Sequence, residues 1–206
     1  MKAGSQKYVG IFGGAFNPPT KGHLHVIKSI LKWNLVDQIW IMPTNIHRYG
    51  KKMVPFSERI AMCELSVKGM DSVRVSAFEA AIENKSDGST YDLMLNLNES
   101  YTNTLFTLII GQDNADEISK WKNWEKLINQ NRFIVLPRPS DEQKTAPSSI
   151  GKWYDKHPHI FLSDAPLLPI SSTAVRELIP QNDRLKLNQL LQNDVLDYID
   201  AKKMYL

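Results

Sequence analysis

An early segment of the chain, residues 13–23, combines residue types that bind phosphate. It has Gly13 and Gly14, then two prolines, and then Thr20 and His23 at the start of a predicted helix. Glycines let the backbone approach a ligand closely, and the free N–H groups and the dipole at a helix N-terminus favour phosphate. Since residues three apart share one helix face, we expect Thr20 and His23 to lie together beside a bound phosphate group.

A late segment, residues 169–176, carries a second set of such groups. Ser171, Ser172 and Thr173 precede a predicted helix, and Arg176 lies on its first turn. Hydroxyl donors, backbone N–H groups and a guanidinium fork could together hold phosphate. A plain N-cap followed by a surface arginine explains the same residues, and for this segment taken alone it is the better explanation.

The spacing and composition exclude several classes of protein. The glycines fit neither the GxGxxG of dinucleotide folds nor the GxxxxGK[ST] of a P-loop. A single cysteine, Cys63, excludes a disulfide framework and a cysteine-based zinc site. A net charge of +3 and the lack of an apolar run of about 20 residues predict binding to neither nucleic acid nor membrane. We expect a cytoplasmic protein, because the first residues have no leader pattern.

Strands and helices alternate along the 206 residues. Apolar or alternating runs predict strands at 7–12, 38–42, 72–78, 104–110, 132–136 and 159–162. Periodicity, caps and prolines predict helices at 22–33, 55–68, 91–99, 118–128, 173–179 and 194–203. Because continuous apolar strands that alternate with helices indicate a parallel sheet covered on both faces, we predict an α/β fold with a doubly wound sheet.

The chain length favours one domain over residues 1–206, with a C-terminal helical part from about 171 to 206. Residues 137–158 are rich in proline, serine, lysine and aspartate, which predicts a long surface loop. In a doubly wound sheet, ligands bind beyond the carboxyl ends of the strands. The segment after the first predicted strand lies at this edge.

The two segments together resemble the nucleotidylyltransferase superfamily. TKGH at residues 20–23 fits its [HT]xGH signature, and ISST at 170–173 with Arg176 fits ISSTxxR. Within it the chain most resembles the bacterial nicotinate or nicotinamide mononucleotide adenylyltransferases. Weaker matches are GGAFNP at 13–18, STYD at 89–92, IGQD at 110–113 with KW at 120–121, and VLDYI at 195–199. The sequence departs from the commoner family residues at four places, Asn17, Thr20, Leu93 and the pair His47-Arg48.

The resemblance implies a Rossmann-like fold and a reaction. The family joins ATP to a pyridine mononucleotide, whose phosphate attacks the α-phosphorus directly and releases pyrophosphate. It implies that His23, Thr20 and Arg176 are catalytic. It implies that ATP is bound by those residues together with Gly13, Gly14, Phe16, Gly111, Asp113, Ser171, Ser172 and Thr173. It places Asn17, His47, Thr90, Tyr91 and Trp121 at the mononucleotide. Mg²⁺ is expected on the ATP phosphates, with no metal-binding residues in the chain.

Three alternatives stay open at this point. One is a pantetheine-phosphate or cytidylyl transferase of the same superfamily, which the chain length and the segments at 89–92 and 120–121 disfavour. Another is a nucleotide sensor without turnover, which the presence of both His23 and Arg176 disfavours. The third concerns the substrate: the bacterial pattern favours nicotinate over nicotinamide mononucleotide, but neither that choice nor a homo-oligomer is decided by the sequence.

Overall fold

The computed structural model describes residues 6–45, 53–82, 84, 86–137, 150–165 and 167–206. The strands are β1 (Lys7–Gly14), β2 (Gln38–Pro43), β3 (Val73–Val75), β4 (Thr104–Gly111), β5 (Arg132–Leu136) and β6 (Ile160–Phe161). The helices are α1 (Lys21–Lys32), α2 (Phe56–Ser66), α3 (Phe78–Ala81), α4 (Thr90–Ser100), α5 (Gln112–Asp116), α6 (Trp124–Gln130), α7 (Ser172–Leu178), α8 (Arg184–Leu190) and α9 (Asn193–Ala201). None of these helices has the length and hydropathy to cross a bilayer.

The six strands form one sheet in the order β3-β2-β1-β4-β5-β6. Every neighbouring pair is parallel, and Ile11 of β1 lies in register between Trp40 of β2 and Leu108 of β4. The strand order reverses direction between β1 and β4, which is the topological switch point of a doubly wound sheet. The predicted Rossmann-like α/β fold is confirmed.

Apolar side chains fill both faces of the sheet. On β5, Phe133 and Val135 enter one core cluster and Ile134 and Leu136 enter the other, as expected when successive side chains alternate between faces. Helix α4 covers the first cluster and α1 covers the second. A third cluster joins Met62 of α2 to apolar residues of α7, α8 and α9, so the C-terminal helices pack against α2.

The prediction of a single helix over 118–128 is wrong. The structure has two short helices with turns between them in residues 112–130. Helix α5 comes first, then a short 3-10 turn at Ile118–Lys120, and α6 begins only at Trp124. Asn123 adopts left-handed backbone at φ 51° between them, a conformation that asparagine tolerates better than most residues. Trp121 and Trp124 therefore do not share a helix face.

Other boundaries also differ. The strand predicted over 72–78 is only Val73–Val75, and α3 follows it; α8 was not predicted. The surface loop predicted over 137–158 is wrong at its end, where Trp153 and Tyr154 are buried. Their polar atoms are paired: Trp153 Nε1–H donates to the Ala115 carbonyl at 3.0 Å, and Tyr154 Oη–H donates to Asp116 Oδ1 at 2.9 Å. Residues 138–149 of that loop lie outside the described residues.

Candidate active site

A cleft of about 510 Å³ opens at the carboxyl ends of β1 and β4. Seven residues predicted to bind substrate line it: Gly13, Gly14, His23, Thr90, Gly111, Asp113 and Trp121. A Cβ atom at Gly13 would meet nothing within 4 Å, so the backbone there borders open space in the cleft. The fold thus brings these seven residues together from positions up to 108 residues apart in the chain.

His23 is held at the start of α1 by Thr20, the N-cap residue. The Thr20 backbone N–H donates to His23 Nδ1 at 2.9 Å, and Thr20 Oγ1 lies 2.9 Å from the same nitrogen. Because a backbone N–H can only donate, Nδ1 is an acceptor and the ring proton sits on Nε2. His23 therefore takes the place of the Glu or Gln of a capping box and keeps Nε2–H as a donor for the cleft.

Two phenyl rings surround this imidazole. The Phe16 and Phe12 ring centroids lie 5.0 and 6.0 Å from that of His23. Burial removes water from the ring and lowers the pKa of His23 from its ordinary 6.5 to about 4, because desolvation disfavours the charged imidazolium. At pH 7 the group is a neutral hydrogen-bond donor whose direction is fixed.

This lowered pKa predicts a pH dependence of stability. Between pH 6.5 and 4 the unfolded chain binds a proton at this imidazole that the folded chain does not, so the free energy of unfolding falls as the pH falls. A pKa lowered from 6.5 to about 4 corresponds to a loss of about 3 kcal/mol over that range.

Urea unfolding of wild type and His23→Gln at pH 7.5 and 4.5 measures this loss. We expect the wild type to lose about 2 to 3 kcal/mol more than the variant on acidification. Equal losses in the two proteins would show that His23 titrates normally.

The early and late segments meet beside the cleft. Arg176 Nη1–H donates to the Asn17 carbonyl at 2.8 Å, and Ser172 Oγ–H donates to the Pro18 carbonyl at 2.8 Å. A Cβ at Gly22 would lie 3.2 Å from the carbonyl oxygen of Ile170, closer than a methyl group ordinarily approaches. Glycine at 22 therefore lets α1 pack against the residues that lead into α7, and Ile170 itself lines the cleft.

The hydroxyl residues of the late segment have distinct positions. Ser171 is the N-cap of α7, and its Oγ accepts the Ala174 N–H at 3.1 Å. Thr173 Oγ1 accepts a hydrogen bond from Arg176 Nη2 at 3.1 Å. The protons of Ser171 and Thr173 can still be donated, whereas that of Ser172 is directed to Pro18. The late segment therefore caps α7 through Ser171 and also contacts the early segment through Ser172 and Arg176.

Several predicted site residues lie behind the cleft lining. Phe16, Asn17 and Thr20 are buried in the β1–α1 loop (residues 15–20), and Asn17 Oδ1 accepts from the Val54 N–H and the Tyr205 hydroxyl. Tyr91 packs against the apolar cluster under α4. His47 lies outside the described residues. The roles given to these residues stay predictions.

The far end of the cleft is formed by α4 and the 121–123 turn. Ser89 caps α4 by accepting the Asp92 N–H at 3.2 Å, which places Thr90 on the first turn. Trp121 faces the cleft from the other side. Next to it, Lys122 Nζ donates to Asp92 Oδ2 at 2.9 Å and to Asp87 Oδ2 at 3.3 Å, and these hydrogen bonds raise the pKa of Lys122.

Other residues that line the cleft carry no recognisable sequence motif and were not predicted, including Thr44, Glu79, Asn114, Leu167 and Leu168. Glu79 Oε1 accepts the Asn45 N–H at 3.0 Å. Burial raises the pKa of Glu79 to about 7, against the lowering effect of that hydrogen bond and of nearby Arg59. Arg59, 1% exposed, donates to the Val54 and Ala15 carbonyls at 3.2 and 2.9 Å.

The few carboxylates of the cleft suit a metal ion that is bound mainly by a nucleotide and not by the protein. Within the described residues no group of three or more His, Cys, Asp or Glu could hold a metal ion. Glu79 and Asp113 are the carboxylates among the residues that line the cleft. Mg²⁺ commonly keeps waters and substrate phosphates and takes one or two protein carboxylates, so these residues fit an ion carried by a nucleotide.

Comparison with known proteins agrees with this geometry. The cytidylyltransferase-like family model matches residues 11–178, which run from β1 to the end of α7. A probable nicotinate-nucleotide adenylyltransferase of Streptococcus pneumoniae is 33% identical, covering 100% of this chain and 92% of the relative. The protein of the same description from Lactococcus lactis is 32% identical, with 100% and 98% covered. The chain belongs to the nicotinate-nucleotide adenylyltransferase family.

A solved member of this family has the same architecture. The nicotinic acid mononucleotide adenylyltransferase of Plasmodium falciparum, complexed with NaAD, superposes with a TM-score of 0.80 at 25% identity and 97% coverage of each chain. The family resemblance inferred from the two signatures is therefore confirmed, as is the prediction of an adenylyltransferase enzyme. The assignment of individual residues to substrates stays a prediction.

Proposed function

We propose that the protein transfers the adenylyl group of ATP to nicotinate mononucleotide, giving deamido-NAD and pyrophosphate in NAD biosynthesis. The observation that carries this proposal is that the two signature segments contact each other beside one cleft, through the hydrogen bond from Arg176 to the Asn17 carbonyl. The names of the relatives and the NaAD bound to the Plasmodium falciparum enzyme support it. The buried single cysteine, Cys63, suits a reducing compartment, and we expect a cytoplasmic enzyme.

In the proposed reaction, a phosphate oxygen of the mononucleotide attacks the α-phosphorus of ATP. The bond between the α-phosphorus and its bridging oxygen breaks, and pyrophosphate leaves with the bonding electrons. His23 Nε2–H donates to a non-bridging oxygen of the α-phosphate, where negative charge increases in the transition state. Since the ring is held by Thr20 and is neutral, it stabilises this charge without reorganising and without transferring a proton.

The other proposed ATP contacts come from the ends of β1 and β4, which line the cleft, and from α7, which contacts the β1–α1 loop beside it. The backbone at Gly13 and Gly14 approaches the phosphates closely, and Gly111 and Asp113 face the adenosine sugar. The β- and γ-phosphates and the departing pyrophosphate are held by Arg176 with the hydroxyl protons of Ser171 and Thr173. Ser172 holds the β1–α1 loop in place through Pro18. Mg²⁺ would be carried mainly by the ATP phosphate oxygens and would neutralise part of their charge.

The pyridine ring is proposed to stack on Trp121, with Thr90 presenting its hydroxyl to the ring substituent. One observation favours a second candidate acceptor, nicotinamide mononucleotide. The two cations on either side of Trp121 in the cleft lining are both already paired, Lys120 with Glu117 and Lys122 with Asp92 and Asp87. Neither charge is therefore offered to a substrate carboxylate alone.

A comparison of acceptors tests the proposed function. Pyrophosphate release is measured with ATP, Mg²⁺ and either nicotinate mononucleotide, nicotinamide mononucleotide or phosphopantetheine. We expect kcat/KM to be highest with nicotinate mononucleotide and no turnover with phosphopantetheine. Equal or reversed values for the two pyridine mononucleotides would overturn the nicotinate preference, and turnover with phosphopantetheine alone would overturn the proposal.

A further inference from the structure

The segment that follows α9 reaches the underside of the β1–α1 loop. Tyr205 adopts left-handed backbone at φ 65°, and its half-buried ring packs against the cluster formed by α2 and α7–α9. Its hydroxyl donates to Asn17 Oδ1 at 2.8 Å. Burial raises the pKa of Tyr205, which keeps this hydroxyl protonated and able to donate.

Asn17 is the point where several elements meet. Its side-chain oxygen accepts from Tyr205 and also from the Val54 N–H at 3.2 Å, just before α2. Its backbone carbonyl accepts from Arg176 at 2.8 Å. With 4% of its surface exposed and no place in the cleft lining, Asn17 is held from behind the loop.

The β1–α1 loop needs these hydrogen bonds at Asn17 because the preceding residue, Phe16, has an unfavourable backbone conformation. Phe16 has a backbone φ of 46°, a left-handed conformation that a bulky residue rarely adopts and that persists only when its surroundings impose it. The Phe16 ring packs 5.0 Å from the His23 ring. Hydrogen bonds hold the residues on either side of Phe16. Arg59 donates to the Ala15 carbonyl at 2.9 Å, and the Tyr205 hydroxyl donates to Asn17 Oδ1.

We propose that Tyr205 is a positioning residue for adenylyl transfer: by fixing Asn17 it holds Phe16, and through Phe16 the His23 ring, in the orientation that serves the α-phosphate. This inference rests on the proposed function. The link from Tyr205 to the cleft runs through one hydrogen bond and two packed rings, so removal of a single hydroxyl tests it.

The experiment compares Tyr205→Phe with Tyr198→Phe. Tyr198 also lies in the C-terminal part and also donates its hydroxyl to a polar partner, but that partner is Glu58 Oε2 of α2, at 2.7 Å, and not a residue of the β1–α1 loop. Initial rates with ATP and nicotinate mononucleotide give kcat and KM for each variant, and thermal unfolding gives the stability of each.

We expect Tyr205→Phe to lower kcat by about 10-fold, with KM for both substrates changed less than about 3-fold, because a small misplacement of a catalytic group affects the reacting geometry more than binding. Tyr198→Phe should keep kcat within about 2-fold, although each variant loses one hydrogen bond. A wild-type kcat in Tyr205→Phe, or an equal fall in both variants, would overturn the inference. Wild-type protein that forms no dinucleotide would instead overturn the proposed function.

Discussion

His23→Ala is expected to lower kcat by at least about 100-fold while the protein stays folded, as for loss of a fixed donor that faces developing charge. The reason is that Nε2–H is the ring's donor toward the cleft and that Thr20 fixes its direction through Nδ1. Single-turnover rates with ATP and nicotinate mononucleotide measure the chemical step directly.

His25 provides a matched control for this substitution. It lies on the same helix, two residues further on, and is absent from the cleft lining. His25→Ala should keep kcat within about 2-fold. Circular dichroism and thermal unfolding establish that both variants are folded, and near-wild-type turnover by a folded His23→Ala protein would contradict the role given to this imidazole.

Arg176→Lys is expected to lower kcat/KM for ATP by about 10- to 100-fold. The guanidinium donates at the same time to the Asn17 carbonyl and the Thr173 hydroxyl, and it has five N–H donors in a planar fork. A lysine ammonium keeps the charge but cannot reproduce this geometry. The substitution should therefore loosen the contact between α7 and the β1–α1 loop and remove the proposed contact to the phosphates.

Arg184→Lys is the control for a general effect of arginine replacement. Arg184 pairs with Asp200 on the exposed surface of the C-terminal helices, where such a pair has little effect on stability. Initial rates against ATP concentration should be unchanged in this variant. If Arg176→Lys were as active as Arg184→Lys, the late segment would not take part in binding ATP.

The local pattern of apolar and polar residues was enough to predict most strands of the sheet. The buried strands β4 and β5 have continuous apolar runs with glycine or polar residues at their ends, and the helix start at Thr20 has a clear cap. The errors fall where tertiary contacts decide. Trp153 and Tyr154 are buried because Ala115 and Asp116, far away in sequence, accept their hydrogen bonds, and no local periodicity carries that information.

Only those site residues that belong to recognisable sequence motifs could be predicted. The spacing of Thr20 and His23 indicates their contact, but nothing local shows that Arg176 donates to Asn17 across 159 residues. Glu79 lines the cleft after a three-residue strand, and Arg59 is buried behind the loop in an otherwise ordinary amphipathic helix. Both depend on which carbonyl and N–H groups the folded chain brings near them.

The fate of the α-phosphorus tests the central claim most directly. The wild-type chain is incubated with Mg²⁺ and nicotinate mononucleotide and with ATP labelled at either the α- or the γ-phosphorus, and the products are separated. We expect the α-label to enter the dinucleotide and the γ-label to enter pyrophosphate in equal amounts. Release of the γ-label as inorganic phosphate, or an α-label that never joins the mononucleotide, would contradict it.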